Sequence, residues 1–154
     1  MQNQLLQKIV LGFIAGVIGV LLFHQIILLV AYNLGLVPFA PYSVTATAPF
    51  GVPQFVSTAF WGGLWGIVLV LVVTRVKGGN QLWAAILFGA VLPPLVAALV
   101  VTPLKGGDMA AWLSPGRIAM ALVINGAWGL GTWLFFRLGR HSLRQMGGGT
   151  AKPL

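Results

Sequence analysis

The sequence predicts an all-α fold, an integral membrane four-helix bundle, from three observations. Of the 154 residues, 58% are hydrophobic and only 6% are charged. Soluble domains are about 25% charged, so a soluble fold could not cover its surface with these residues. No charged residue occurs between Lys8 and Arg75. The apolar runs lack the strict alternation of barrel strands, which leaves helices as the spanning structure.

Four apolar runs are each long enough to cross a bilayer as an α-helix, which takes about 20 residues. The uncharged stretch after Lys8 is too long for one span and divides at a proline-rich segment. The predicted spans are residues 9–31, 55–75, 82–101 and 118–136. They form one transmembrane domain, 1–154, and the glycine-rich end, 145–154, is expected to be a flexible cytoplasmic tail.

Lysines and arginines are concentrated on one side of these spans. Seven lie at the N-terminus, between spans 2 and 3, and after span 4, whereas two lie between spans 3 and 4. They are Lys8, Arg75, Lys77, Arg137, Arg140, Arg144 and Lys152, against Lys105 and Arg117. Short loops rich in Lys and Arg stay in the cytoplasm, so the sequence predicts that both termini are cytoplasmic.

The composition restricts the chemistry that the chain can perform. It has one acidic side chain, Asp108, no cysteine, and two histidines, His24 and His141. Paired carboxylates, a thiolate nucleophile, an iron–sulfur site and a Cys/His zinc site are therefore excluded. We expect no catalytic residue, no metal and no cofactor, so the protein is predicted not to be an enzyme.

The net charge of +8 is explained by the flanks of the helices rather than by a nucleic-acid partner, since no nucleic-acid-binding motif is present. Arg137, Arg140 and Arg144 recur at helical spacing after span 4. A cationic stripe in this position is expected to contact the headgroups of anionic lipids, at about 1 kcal/mol for each cation.

Glycines at spacings of three and four indicate close helix packing, because helix association in lipid depends on backbone approach. Two tryptophans in span 2 lie too deep for an interfacial belt, so they are interpreted as packing or ligand-facing residues. The predicted packing or partner interface consists of Gly12, Gly16, Gly19, Gly62, Gly66, Trp61, Trp65, Asn125 and Gly129. Pro93 and Pro94 predict either a kink in a compact bundle or a broken helix that lines a substrate site.

His24 and Gln25 are the candidates for a polar contact inside the membrane. Burying either group without a partner costs several kcal/mol, so both should face protein, water or a ligand. One interpretation is an interhelical hydrogen bond, for instance to Asn125 or Thr132. The other is a functional contact with a proton, quinone, carotenoid, metal or haem.

The segment between spans 1 and 2 carries no charge in 22 residues, 33–54, and contains four prolines. Proline at this density disfavours both helix and strand. A freely solvated loop would be more polar. The segment is therefore expected to lie on the membrane interface, to cap the bundle, or to pack on another protein.

Three runs in the first half of the chain resemble a group of small uncharacterised bacterial proteins of the inner membrane. They are FHQ at 23–25, FGVPQ at 50–54 and FWGGLWG at 60–66. The resemblance implies a four-helix fold in the bacterial inner membrane and brings no activity or catalytic residues.

The chain has few side chains suited to catalysis and many glycines suited to helix packing. Together these features predict a non-catalytic membrane subunit or accessory protein. It would join a larger complex, respiratory or photosynthetic for example, through its glycine-rich helix faces and the apolar segment. The alternative is a small homo-oligomeric channel or transporter with His24, Pro93-Pro94 and Asn125 near its pathway. The expected partners are membrane lipids and either other membrane subunits or further copies of the chain.

Overall fold

The computed structural model describes residues 2–148, which are mostly helical and include four helices long and apolar enough to cross a membrane. Helix α1 runs through Gln2–Gly19, a π-turn at Val20–His24, and Gln25–Asn33. Helix α2 spans Gln54–Val73. Residues 34–53, between these two helices, are called the 34–53 segment. It contains two short antiparallel strands, β1 (Ala46–Thr47) and β2 (Val52–Pro53).

The second half of the chain forms a longer helical hairpin. Helix α3 comprises a 3-10 turn (Gly78–Asn80), Gln81–Val96, a π-turn (Ala97–Val101) and Thr102–Leu104. A 3-10 turn at Met109–Leu113 follows, and helix α4 covers Pro115–Gly148. The end of the bundle with the start of α1 and the end of α4 is called the termini side. The end with the 34–53 segment and the 105–114 loop is called the loop side.

The helical content agrees with the all-α prediction, and the helices extend beyond most of the predicted spans. Residues 9–31, 82–101 and 118–136 lie inside α1, α3 and α4. Helix α2 ends two residues before the predicted limit of 75, because residues 74–76 form a hydrogen-bonded turn. The β1–β2 pair departs from the expectation that the prolines would prevent strands. The flexible tail predicted at 145–154 begins within α4, and residues 149–154 lie outside the described residues.

Helices α1 and α2 cross in direct backbone contact. A Cβ atom at Gly12 would lie 3.0 Å from the Gly66 carbonyl oxygen, and one at Gly16 would overlap the Gly62 carbonyl. The two helices therefore run antiparallel and touch where neither carries a side chain. Helices in lipid gain no hydrophobic driving force when they associate, so close backbone packing stabilises their contact instead.

Helix α4 joins the two hairpins. The indole N–H of Trp128 donates to the Gly16 carbonyl of α1 at 3.0 Å, and Trp128 is buried. A Cβ at Gly19 would lie 2.7 Å from Thr132 Oγ1, so α1 also lies close to α4. On its other side, α4 contacts α3 at Gly89, where a Cβ would come 2.5 Å from the Asn125 carbonyl oxygen.

The main buried cluster lies where α1, α2 and α4 meet and extends to α3 through Ala85 and Phe88. A second cluster lies toward the loop side. There Val37 of the 34–53 segment packs against Leu28, Ala31 and Ile124, so the segment is anchored on α1 and α4.

We expect Gly16→Ala to destabilise the protein by about 1–3 kcal/mol, because the new methyl group meets backbone that cannot move aside. The unfolding midpoint in an SDS titration of the purified protein measures this. Gly116→Ala in α4 is the matched control, since a Cβ there meets nothing within 4 Å. Equal midpoints for the two variants would contradict the contact.

Candidate functional site

A π-turn interrupts α1 where the two predicted polar residues lie. The backbone N–H of Gln25 donates to the carbonyls of Val20 and Leu22. A regular α-helix would direct this N–H to the Leu21 carbonyl. Turns of this kind inside α-helices are frequent at functional sites. His24 is the last residue of the turn, and Gln25 follows it.

Tyr42 of the 34–53 segment binds two acceptors at the π-turn, the backbone carbonyl of Leu21 and the side chain of Gln25. Its hydroxyl donates to the Leu21 carbonyl at 2.5 Å, and its backbone N–H donates to Gln25 Oε1 at 2.9 Å. The Gln25 side chain is only 3% exposed, so its carbonyl oxygen needs a partner inside the protein. The polar contact of Gln25 is therefore made with the connecting segment.

These contacts show that the 34–53 segment folds back along α1. Leu21 and Gln25 lie twelve and eight residues before the end of α1 at Asn33. At a rise of 1.5 Å for each residue, the chain returns along α1 by about 12–18 Å. Irregular backbone in an apolar environment needs protein partners for its polar groups, and Gln25 supplies one for the Tyr42 amide.

The 34–53 segment also provides hydrogen-bond acceptors for the first amides of α2. The first amides of a helix have no partner within the helix. In α2, the N–H of Gln54 donates to the Thr45 carbonyl at 2.9 Å, and that of Phe55 donates to the Ser43 carbonyl at 3.0 Å. The rings of Tyr42 and Phe55 are also in edge contact, with centroids 6.4 Å apart. Helix α1, the 34–53 segment and α2 therefore form one hydrogen-bonded unit.

The backbone of Tyr42 is strained. Its φ is +51°, in the left-handed region that a bulky side chain rarely occupies. Such a conformation persists only where the surroundings determine it, and strained residues of this kind concentrate at functional sites. Here the hydrogen bonds to Leu21 and Gln25 hold the residue in place.

His24 lacks the hydrogen bond that one of its two interpretations required. Its Nδ1 atom is buried and makes no hydrogen bond within the described residues. Asn125 Nδ2 donates instead to the Ala121 carbonyl at 2.9 Å, and Thr132 Oγ1 to the Trp128 carbonyl at 2.8 Å, each within α4. An interhelical bond from His24 to either residue is therefore absent.

Pro93 and Pro94 lie inside α3 without breaking it. The chain continues as helix to Val96 and widens into the π-turn at Ala97–Val101. Both the N–H and the hydroxyl of Thr102 donate to the Ala97 carbonyl, and Trp112 Nε1 donates to the same hydroxyl at 2.9 Å. The polar groups around the π-turn are thus satisfied locally, as membrane helices with proline require.

Most residues of the predicted packing interface make contacts inside this chain. The glycines at 12, 16, 19, 62, 66 and 129 lie against neighbouring helices, and Trp65 packs on Phe88 with ring centroids 6.0 Å apart. Trp61 is the most exposed of the set at 58%, although its ring lies in edge contact with Phe60 at 5.9 Å between centroids. Arg137, Arg140 and Arg144 lie away from this site, on the termini side and beside the start of α3.

The four apolar helices define the class, a helical membrane protein. Within the described residues, no group of three or more His, Cys, Asp or Glu could hold a metal ion. No protein-family model, curated protein or solved structure matches the chain.

Tyr42→Phe removes the hydroxyl that binds the Leu21 carbonyl, and we expect a loss of about 0.5–1.5 kcal/mol. Faster hydrogen exchange of the Gln54 and Phe55 amides should accompany it, because Tyr42 positions the carbonyls that bind them. Tyr32→Phe, the same change at the other tyrosine of the chain, is the control. Unchanged exchange in Tyr42→Phe would show that its hydroxyl does not hold the segment.

His24→Leu should leave the stability of the purified protein unchanged or raise it, because the substitution removes a buried polar atom that has no partner. Gln25→Leu is the comparison and should cost about 1–3 kcal/mol, since it leaves the Tyr42 amide unsatisfied. Both are measured as unfolding midpoints in SDS. A large loss for His24→Leu would reveal a polar partner of the imidazole.

Proposed function

We propose that the protein is a non-catalytic integral subunit or accessory protein of a larger membrane complex, which it binds through the 34–53 segment. The observation that carries the proposal is a fixed segment with outward apolar side chains. It is bonded to α1 and α2, yet Phe39, Val44 and Phe50 are 51%, 75% and 87% exposed.

The fixed backbone supports a binding role. A surface ordered before binding loses less conformational entropy on association, which raises affinity. Aromatic residues are enriched in the buried centres of protein interfaces. Phe50 lies in the turn between β1 and β2, which presents its ring at the tip of a hairpin.

The glycine-rich faces contribute less to docking than the sequence alone suggested. Gly16 and Gly62 meet each other, and Gly89 meets α4, so these faces are covered inside one copy of the chain. The proposed partner surface is therefore reduced to the 34–53 segment, together with the exposed ring of Trp61.

We also propose that the membrane is the bacterial inner membrane and that the termini side faces the cytoplasm. Seven of the nine lysines and arginines support this orientation, since they flank the helices on that side or follow α4 in the chain. The 34–53 segment would then face the periplasm, where its partner would bind.

A small homo-oligomeric channel or transporter is the second candidate. The buried Nδ1 of His24, which has no hydrogen-bond partner among the described residues, is the observation that favours it. A pathway would have to run between subunits, because glycine contacts close the space between α1 and α2 and between α3 and α4.

A photoreactive amino acid at position 50 should distinguish the two candidates in native membranes. We expect one defined adduct with a different membrane protein, because Phe50 is the most exposed aromatic side chain of the segment. The same probe at Leu87 of α3, which is 63% exposed, is the control for lipid-facing positions and should give none.

The protein found in the adduct must then be tested by a reciprocal purification. A tag on that protein should recover the untreated chain in a fixed ratio after mild solubilisation, and Phe50→Ser should lower the recovery. An adduct with a second copy, together with a symmetric oligomer in native mass analysis, would overturn the subunit proposal and support the channel.

A further inference from the structure

A cavity of about 490 Å³ lies on the termini side between α4 and the start of α3. One face of α4 forms one wall of the cavity, and the 3-10 turn before Gln81 forms the opposite wall. Its lining includes Gln81, Trp133, Phe136, Arg137, Arg140 and Arg144. The cavity lies outside the site formed by the π-turn of α1.

The cavity is strongly cationic without a neutralising acid. Arg137, Arg140 and Arg144 recur every three to four residues, so like charges are neighbours on one helix face. The only acidic side chain of the chain is Asp108, which lies in the loop-side connection and accepts from the Ala110 amide. A bound anion would supply the opposite charge that the lining lacks.

Aromatic rings hold two of the guanidinium groups. Arg137 lies over Trp133 at 5.3 Å from the ring centroid, and Arg140 lies over Phe136 at 5.5 Å. A ring face orients the planar group while leaving its edge N–H donors free. Planar donor forks of this kind match the oxygens of a phosphate group, which they bind in pairs.

The opposite wall, at the start of α3, is also positively polarised. The first turn of α3 has no side-chain cap at Lys77 or at Asn80. The N-terminus of a helix carries partial positive charge, which adds to the field of the three arginines.

The position along the bundle indicates the source of the anion. Trp133 and Phe136 end the apolar part of α4, and the arginines begin immediately after them. An aromatic belt followed by cations is typical of the headgroup level of a membrane. A headgroup phosphate reaches this level with its acyl chains in the bilayer, whereas a soluble phosphate would have to be held by charge alone.

We propose that this cavity is a specific site for the phosphate of an anionic phospholipid headgroup, bound by Arg137, Arg140 and Arg144. The inference requires only that the helices span a bilayer. It is independent of the partner proposed for the 34–53 segment, and the proposed orientation would place the site in the cytoplasmic leaflet.

Native mass spectrometry of the purified protein tests the site by titration with phosphatidylglycerol or phosphatidylcholine. We expect saturable retention of phosphatidylglycerol alone. The Arg137→Gln/Arg140→Gln variant should weaken it about tenfold or more, because two of the three cations are lost. Lys105→Gln/Arg117→Gln, the same charge change on the loop side, is the control and should bind as the original protein does.

Three outcomes would overturn the proposal. Equal retention of both lipids would exclude headgroup selection, and equal weakening in the control variant would indicate attraction by net charge. Displacement of phosphatidylglycerol by millimolar inorganic phosphate would assign the cavity to a soluble anion. If the double variant does not remain monodisperse, Arg144→Gln replaces it, because Arg144 is exposed and its loss leaves both ring contacts intact.

Discussion

The architecture depends on one residue without a side chain. At Gly16, α1 touches the backbone of α2, and its carbonyl accepts the indole hydrogen of Trp128 from α4. Three helices therefore converge on one peptide unit. Any side chain at this position would separate α1 from α2, which would also shift the carbonyl that α4 binds. The antiparallel register of the first hairpin and the docking of the second are thus fixed at the same point.

The requirement that buried backbone groups be hydrogen-bonded explains the irregular parts of the structure. Both spans with π-turns have polar side chains beside the irregularity, Gln25 in α1 and Thr102 in α3. Each of these residues is in turn bonded to a connecting segment, through Tyr42 and Trp112. The connections on the loop side are therefore parts of the helices' hydrogen-bonding system, as an apolar medium demands.

The sequence was sufficient to predict the helical class and the approximate positions of the four long helices, because length and charge placement alone limit what a bilayer accepts. Glycine spacing marked the residues that lie between helices, such as Gly16 and Gly62. Glycine spacing could not show whether the partner helix belongs to the same chain or to another. The spacing is a property of one helix, whereas a contact also depends on the helix that it meets. The structure places those faces against each other.

The role of Tyr42 could not be predicted from the sequence. Its partners lie on α1, and the Leu21 carbonyl becomes available only because the π-turn redirects the Gln25 amide. A free backbone carbonyl cannot be recognised from the residue sequence. The π-turn that frees this one depends on tertiary contacts. The uncharged composition of the segment was the available signal. It indicated that the segment is not freely solvated, without identifying which groups it covers.

The hydrogen bonds of Gln25 and Gly16 differ in when they can form during synthesis. Tyr42 follows Gln25 by 17 residues, so the side-chain oxygen of Gln25 can accept from its partner as soon as the 34–53 segment has been synthesised. Trp128 follows Gly16 by 112 residues, so this bond must wait until both hairpins have been synthesised as far as α4. The first hairpin can thus enter the lipid with its most buried polar side chain already satisfied.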